Sequence, residues 1–410
     1  MRRRRSKQQV AEEIVARLRE AGHTALFAGG CVRDLAMDRE PKDYDVVTDA
    51  LPERVVQLFR RTEKVGAKFG VVIVRLGGQM VEVATFRSDG DYADGRHPEN
   101  VRFSDPLQDA RRRDFTINGM FYDPAEERII DHVGGLEDLR RGVVRAIGDP
   151  GQRFAEDHLR MLRAVRFAAR LSFDIDPGTA EAIRAAADRI RLISAERVRA
   201  ELMMILTDPT RRRGWELIHE ANLSRWLVED TAWTDDQAAD VARRLGHLPE
   251  HCTDRLALAV VFHRYAGREA AARCRKLTCS NQVADGVAWL LERLPRMLNC
   301  ESFEPADYKL LLADPCCPDL VTLTEAEIAG RGLSDRPLHV WRRQTSRIQP
   351  QEVAPARLVT GDDLLAMGFK PGPAFGQVLT ELYRRQLNGQ LVDRKLALAA
   401  GKELMTQQGD

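Results

Sequence analysis

Between Leu26 and Thr48 the chain reads LFAGGCVRDLAMDREPKDYDVVT. Two glycines follow a short apolar run, Arg33 and Asp34 come next, and an Asp-Tyr-Asp triplet then opens a second β-branched run. This order reads as strand, glycine turn, helix, strand. In an extended segment alternate side chains share a face, so Asp43 and Asp45 are expected to project together while Tyr44 points away. Two neighbouring carboxylates repel unless a cation sits between them, and such oxygen donors suit Mg²⁺, which bridges protein carboxylates and substrate phosphates. Gly29 and Gly30 let backbone N–H groups come close to an anion, and Arg33 adds a forked contact. A phosphate cradle beside a metal-type carboxylate pair points to phosphoryl or nucleotidyl transfer. Each half alone is an ordinary turn or strand end; it is their order and spacing that carry the reading.

A chain of 410 residues holds several domains. Its 44% hydrophobic and 30% charged content, with few aromatics, fits a helix-rich protein. The net charge of +1 conceals crowding of arginine at 111–113, 140–145, 153–170, 184–199 and 211–213, which allows basic surfaces without a basic pI. No apolar run is long enough to span a membrane. The start, MRRRRSKQQV, leads into an amphipathic helix pattern in place of a signal-peptide core, and a cytoplasmic location is expected. Arg2 to Arg5 read as a charged terminus. Cys31, Cys252, Cys274, Cys279, Cys300, Cys316 and Cys317 form no C-x-x-C pair and are expected as free thiols.

Along the chain, residues 7–21 have helical periodicity ended by Gly22, and a helix starts at Pro52. Val71 to Leu76 and Met80 to Phe86 read as strands joined by Gly77 and Gly78, with Glu82 on the face opposite Val81 and Val83. Residues 87–106 lack periodicity and read as one long loop. Arg113 and Asp114 are expected just before a helical run, and residues 121–131 as a hairpin. From 152 to 171 the pattern is one long helix with Leu159, Leu162, Val165 and Phe167 turned to a core. Asp157 and Arg160 then lie at i and i+3 on one face, with Arg163 the next step along. A helix follows Asp176-Pro177, and another starts at Ser194 with a capping box. Residues 211–340 are a helical array in which His247, His251 and His263 read as core or surface residues. Thr360 is expected to cap a helix, and Gly368 to Pro373 to turn into another.

GG-x-VRD followed by PKDYDVVT resembles the signature of the polymerase-β-like nucleotidyltransferases. More narrowly it is similar to the class II group, which holds bacterial tRNA CCA-adding enzymes, their A-adding and CC-adding relatives, and bacterial poly(A) polymerases. Four further matches keep the family order: D-Y-x-D-x-R-x-P at Asp91, Tyr92, Asp94, Arg96 and Pro98; RRDFTIN at Arg112 to Asn118; EDxxR at Glu156 to Arg160; RxxxEL at Arg197 to Leu202. His158 stands where relatives often have Pro. The 341–410 tail matches more loosely.

The resemblance implies an α+β chain: a head at 1–150 with a mixed sheet of about five strands, a helical neck at 151–210 carrying a nucleotide-template helix, a helical body at 211–340 and a helical, tRNA-binding tail at 341–410. It implies two Mg²⁺ ions on Asp43 and Asp45, with Glu82 as candidate third carboxylate. Gly29, Gly30, Arg33, Arg113, Asp114 and Asn118 are implied to bind the NTP, with Arg113 and Asp114 at the ribose and triphosphate. Asp157 and Arg160, with Arg163 beyond them, would read the base: an aspartate accepts from an exocyclic amine and an arginine donates, so C and A pair while G and U are refused. The RxxxEL motif is expected to brace that helix through an Arg-Glu network. The implied reaction is template-free addition of C and A to a tRNA 3′ end from CTP and ATP, with tRNA held at acceptor stem and elbow, and no membrane or obligate protein partner. The loop at 87–106 argues against CC-only addition. Gly66 to Val71, GAKFGV, departs from the G-R-R-F-x-L-x-H run of the poly(A) polymerases, while A-adding activity stays open.

Overall fold

The structure, a computed structural model, describes residues 5–63, 70–89, 101–227, 233–370 and 372–407. The loop residues Asp91, Tyr92, Asp94, Arg96 and Pro98, as well as Arg2 to Arg4 and the segment from Gly66 to Phe69, lie outside the described residues. The chain divides into two compact units, Met1–Ala239 and Asp240–Asp410.

The first unit is built on a mixed sheet. Its strands are β1 (Ala25–Ala28), β2 (Asp45–Thr48), β3 (Thr62–Glu63), β4 (Val71–Leu76), β5 (Gln79–Thr85), β8 (Phe121–Asp123) and β9 (Arg128–Ile130), in the order β3-β4-β5-β2-β1-β8-β9. The sheet thus has seven strands where about five were expected. The two-residue β3 is too short to show a period. β6 (Arg87–Asp89) and β7 (Val101–Phe103) pair antiparallel, so the ends of the expected loop form a ribbon. The glycine hairpin is as read: Gly77 and Gly78 both have positive φ, +59° and +82°, which the tight turn from β4 to β5 requires.

Parity along the strands divides the two faces. Val46, Val81 and Val83 pack with Phe27 beneath helix α1 (Lys7–Glu20), whose Val10, Ile14, Val15 and Leu18 are buried. Val47 and Ala84 belong to the opposite face with Leu26, Phe86 and Phe121. In the parallel pairing of β2 with β5, Asp45 lies opposite Glu82 and Val47 opposite Ala84. The second face therefore ends in two exposed carboxylates, while Tyr44 is buried on the first.

Three local expectations are corrected. Helix α4 (Pro106–Arg111) comes before Arg113 and Asp114, and only a 3₁₀ turn at Thr116–Asn118 follows them. Asp114 Oδ1 accepts the Phe115 N–H at 2.8 Å and the Asn118 amide at 3.2 Å, which closes that turn. The helix expected across 152–171 is two, α6 (Pro150–Glu156) and α7 (Arg160–Leu171). Asp157 is extended at φ −150°, ψ 103°, so it shares no helix face with Arg160. Its Oδ1 takes the Leu159 N–H at 3.1 Å and its Oδ2 takes Arg197 at 2.8 Å, bonds that compete with helix continuation. Ser194 occupies the N-cap of the Ala195–Leu206 helix without a side-chain cap bond.

The second unit is helical. The His263 ring contacts the Val260 carbonyl, Arg244 and Asp240. The seven cysteines are free. Among the described residues, no helix is long and apolar enough to cross a membrane.

Candidate active site: an arginine-lined cleft

Above the β2 end of the sheet lies a cleft of about 540 Å³. Arginine supplies eight of its lining residues and aspartate three, an excess of positive charge suited to a polyphosphate. Of the twelve residues singled out from the sequence, ten line it: Gly29, Gly30, Arg33, Asp45, Arg113, Asp114, Asn118, Asp157, Arg160 and Arg163. Asp43 and Glu82 do not.

The floor starts at the glycine turn. Gly29 opens helix α2 (Gly30–Ala36) at φ +75°, and a Cβ there would approach the Arg113 guanidinium at 3.3 Å. Glycine is therefore favoured by the backbone conformation, and a side chain there would also push the Arg113 guanidinium aside. Arg33 donates to Asp34 at 2.7 Å and to the Asn118 side-chain oxygen at 3.0 Å. Arg113 donates to Asp109 at 2.9 and 3.1 Å and lies 5.2 Å from the Phe121 ring centroid.

Asp109 is fully buried, and both Arg112 and Arg113 point into it. Burial works to raise its carboxyl, but the two guanidiniums outweigh that and hold it below the usual carboxylate range. Asp114 follows the same rule, burial being outweighed by Arg163, whose Nε and Nη2 donate at 3.0 and 2.6 Å. Asp45 goes the other way. Its carboxyl keeps exposed surface, yet it is pushed up to about 6, first by loss of hydration among the cleft walls and then by the Glu82 carboxylate. Asp43 adds to the push, while Arg113 and Lys7 oppose it. Lys7 is itself ion-paired with Asp43.

The far wall is α7. Arg160 donates to Glu156 at 2.5 Å and to the carbonyls of Arg153 and Arg112 at 3.0 and 3.4 Å. The RxxxEL motif does brace this wall, though not by an internal pair. Arg197 holds Asp157, and Glu201 accepts from Arg166 at 2.7 Å and lies 3.6 Å from Arg163.

Phe167, expected only as core, is a cleft residue: the guanidiniums of Arg33, Arg163 and Arg166 lie 5.5, 5.4 and 4.5 Å from its ring centroid. Arg87, Arg112, Arg166 and Arg170 also line the cleft and were missed. A signal existed in the spacing of arginines by three and four along 160–170, and in Asp109 three and four residues before Arg112 and Arg113.

This architecture is shared with known proteins. The family described as poly A polymerase head domain matches residues 25–145, and that described as probable RNA and SrmB-binding site of polymerase A matches 172–233. The chain is 32% identical over 397 residues to a CCA-adding enzyme of Levilactobacillus brevis, covering 96% of each. It is 33% identical over 389 residues to a CCA-adding enzyme of Geobacillus stearothermophilus, covering 94% of each. This chain belongs to the CCA-adding enzyme family. A solved Bacillus stearothermophilus CCA-adding enzyme in complex with CTP superposes on it with a TM-score of 0.79 at 29% identity, covering 99% of both chains. A Thermotoga maritima family member complexed with tRNA_CCA shares the fold, with a TM-score of 0.68 at 20% identity over 99% of this chain and 97% of that one.

Proposed function

We propose that the protein is a tRNA nucleotidyltransferase that adds C and A to the 3′ end of tRNA, using CTP and ATP and no nucleic-acid template. The observation that carries this is one cleft, in a chain of this family, which sets the glycine turn and Arg33, Arg113 beside Asp45 on one wall and the Asp157–Arg163 region on the other. The first set meets a triphosphate; the second meets a base.

The glycine turn and the Asp109-held arginines hold the triphosphate, and because these guanidiniums are already oriented, little is lost in ordering them when the nucleotide arrives. Asp157, fixed by Arg197, accepts from the exocyclic amine of C or A, and Arg160, with Arg163 beside it, donates to the ring. A keto group at the same place would face a carboxylate that has nothing to donate, which refuses G and U. Asp114 lies at the ribose, with its carboxylate kept ionised by Arg163.

The carboxylates fit a divalent cation. Asp45 and Glu82 face each other across paired strands, and Asp45 is raised by burial and then by the Glu82 and Asp43 carboxylates, a repulsion that a cation would relieve. Among the described residues, no group of three or more His, Cys, Asp or Glu side chains converges as a metal cage. Mg²⁺ suits this open arrangement, since it is commonly bound through one or two carboxylates plus substrate phosphates. Asp43 and Asp45 would hold it, with Glu82 as a third acid. When bound, it would activate the tRNA 3′-hydroxyl and neutralise charge on the triphosphate. Within this reading residues 1–150 are the catalytic head, 151–210 the neck, 211–340 the body and 341–410 the tRNA-holding tail, and the enzyme works in the cytoplasm.

The test is to follow products on a tRNA transcript lacking its CCA end, and on transcripts ending in C or CC, with CTP and ATP separately and together. Three added residues on the bare transcript are expected. A single A added only to the CC-ended transcript would mean an A-adding enzyme, and long A tracts a poly(A) polymerase.

A further inference from the structure

A second hollow, of about 420 Å³, lies in the same unit as the cleft and shares none of its lining residues. It is bounded by Arg184 at the end of helix α8 (Pro177–Ala186), by the 3₁₀ turn at Ala187–Leu192, and by the short helix Ser224–Leu227 that follows a left-handed turn at Asn222. Its focus is Trp226. The Arg191 and Arg225 guanidiniums lie 5.1 and 5.0 Å from that ring centroid, both within cation–π range.

Some exposed arginines in this chain close on a carboxylate one helical turn away, as Arg212 does on Glu216. Among the described residues Arg184 and Arg225 enter no ion pair, and Arg191 reaches Asp188 only at 4.0 Å. Among the described residues, Asp235 contacts the His219 ring at 2.9 Å. Two cations thus pack on one half-buried indole, and a third, Arg184, lines the same hollow. Packing guanidiniums against an indole fixes where the charges sit without using their N–H donors, which remain available to phosphate oxygens. A run of phosphates at regular spacing is the partner such a cluster fits.

We propose that Arg184, Arg191 and Arg225, set by Trp226, are a phosphate-backbone contact for the tRNA being extended, separate from the nucleotide cleft. This rests on the tRNA reading above and adds to it a named surface within the segment matched to an RNA-binding family. The contact is one of charge and carries no sequence information.

The experiment compares three full-length proteins: wild type, R184Q/R191Q/R225Q, and R184K/R191K/R225K. Binding to a tRNA transcript lacking CCA is measured over a range of salt, with KM for CTP and the rate at saturating tRNA followed in parallel and melting temperature as fold control. The glutamine variant is expected to bind about ten-fold more weakly, with the slope of log affinity against log salt reduced by about two to three, since each phosphate neutralised contributes roughly 0.7 to 0.9. Its KM for CTP and saturated rate should be unchanged. The lysine variant should keep the wild-type slope. An unchanged slope in the glutamine variant, or an equal loss in the lysine variant, overturns the proposal, the latter by showing that packing and not charge matters. Failure of the wild type itself to bind or extend tRNA would overturn the functional reading and this one together; binding by wild type with no change in the variants overturns this one alone.

Discussion

Two arginine networks in this protein use the same chemistry to opposite ends. In the second unit Arg244 is buried, donates to Glu327 at 2.6 Å, and is joined by Asp240, His263 and, through Glu327, Arg331. Nearly every charge there is answered by another and both Arg244 and Glu327 are sealed from water. The cleft in the first unit holds eight arginines against three aspartates, and its arginines are fixed on their inner side by Asp109, Glu201 and the Phe167 ring. A closed network contributes to stability and rigidity, whereas an open one keeps donors for a ligand whose charge is missing. The difference lies in access: the cleft arginines are ion-paired too, with Asp34, Asp109, Asp114, Glu156 and Glu201, but they line an open hollow, whereas Arg244 and Glu327 are closed in.

The largest effect should come from the carboxylate at the open end. Asp45→Asn keeps shape but removes charge, and turnover should fall on the order of 10³-fold or more, as expected when several kcal/mol of metal-assisted stabilisation is lost. Quantitative primer extension on a CCA-less tRNA checks the rate, and gel-shift checks that tRNA binding persists. Substantial residual turnover would remove Asp45 from the metal site.

Next come paired breaks, one in each network. Glu327→Gln leaves Arg244 buried with a partner missing, and should cost about 3 kcal/mol of stability by chemical denaturation while the KM for CTP and ATP stays put. Arg163→Met leaves Asp114 similarly stranded and should destabilise by a comparable amount, but it should also raise the KM for both nucleotides. If both variants lose stability and neither changes KM, the cleft network is as closed as the other and the comparison fails.

Phe167→Leu sharpens it further. Leucine keeps apolar volume but removes the ring against which three guanidiniums pack. Steady-state kinetics should show a KM rise of about five-fold for both nucleotides at near-constant kcat, the equivalent of one modest cation–π contact. Phe167→Tyr, which keeps the π face, should restore it. Equal KM values for leucine and phenylalanine would reduce Phe167 to a core residue.

These residues also mark where the sequence was legible. Strand alternation set Tyr44 apart from Asp45, and Glu82 opposite Val81 and Val83, because a period of two survives in short strands; that Asp45 and Glu82 share one open face follows from the β2–β5 pairing, which the sequence did not show. The glycine hairpin and the α1 helix were equally local. The break at Asp157 was not legible, because the bond that helps to make it comes from Arg197, forty residues away. Phe167 read as core because apolar periodicity cannot tell a ring packed on leucine from one packed on arginine. Asp109 carried its own signal, three and four residues ahead of two arginines, but its complete burial is a property of the assembled unit. The seven-strand count was missed for a plainer reason, since a strand as short as Thr62–Glu63 exists only through its partner β4.

The smallest effect is a pH-dependent one, and it isolates the open end of the cleft from everything else. In the folded protein the Asp45 carboxyl is raised from an ordinary 3.8 to about 6. A raised acid contributes stability that is complete below its unfolded value and lost as pH rises through the folded one, so between about 4 and 6 the metal-free protein gives up that contribution. A divalent cation binds the ionised form and reverses the sign in the same window. Added Mg²⁺ should therefore raise the melting temperature at pH 7.5 and do so progressively less toward pH 4.5, and Asp45→Asn should flatten that dependence. Asp109 and Asp114, already held low by their arginines, make acid destabilising overall. The quantity to compare is consequently the difference with and without Mg²⁺ at each pH, from which their contribution cancels. A Mg²⁺ increment as large at pH 4.5 as at pH 7.5 would mean that the ion acts elsewhere, and that the open carboxylates of the cleft are not what it answers.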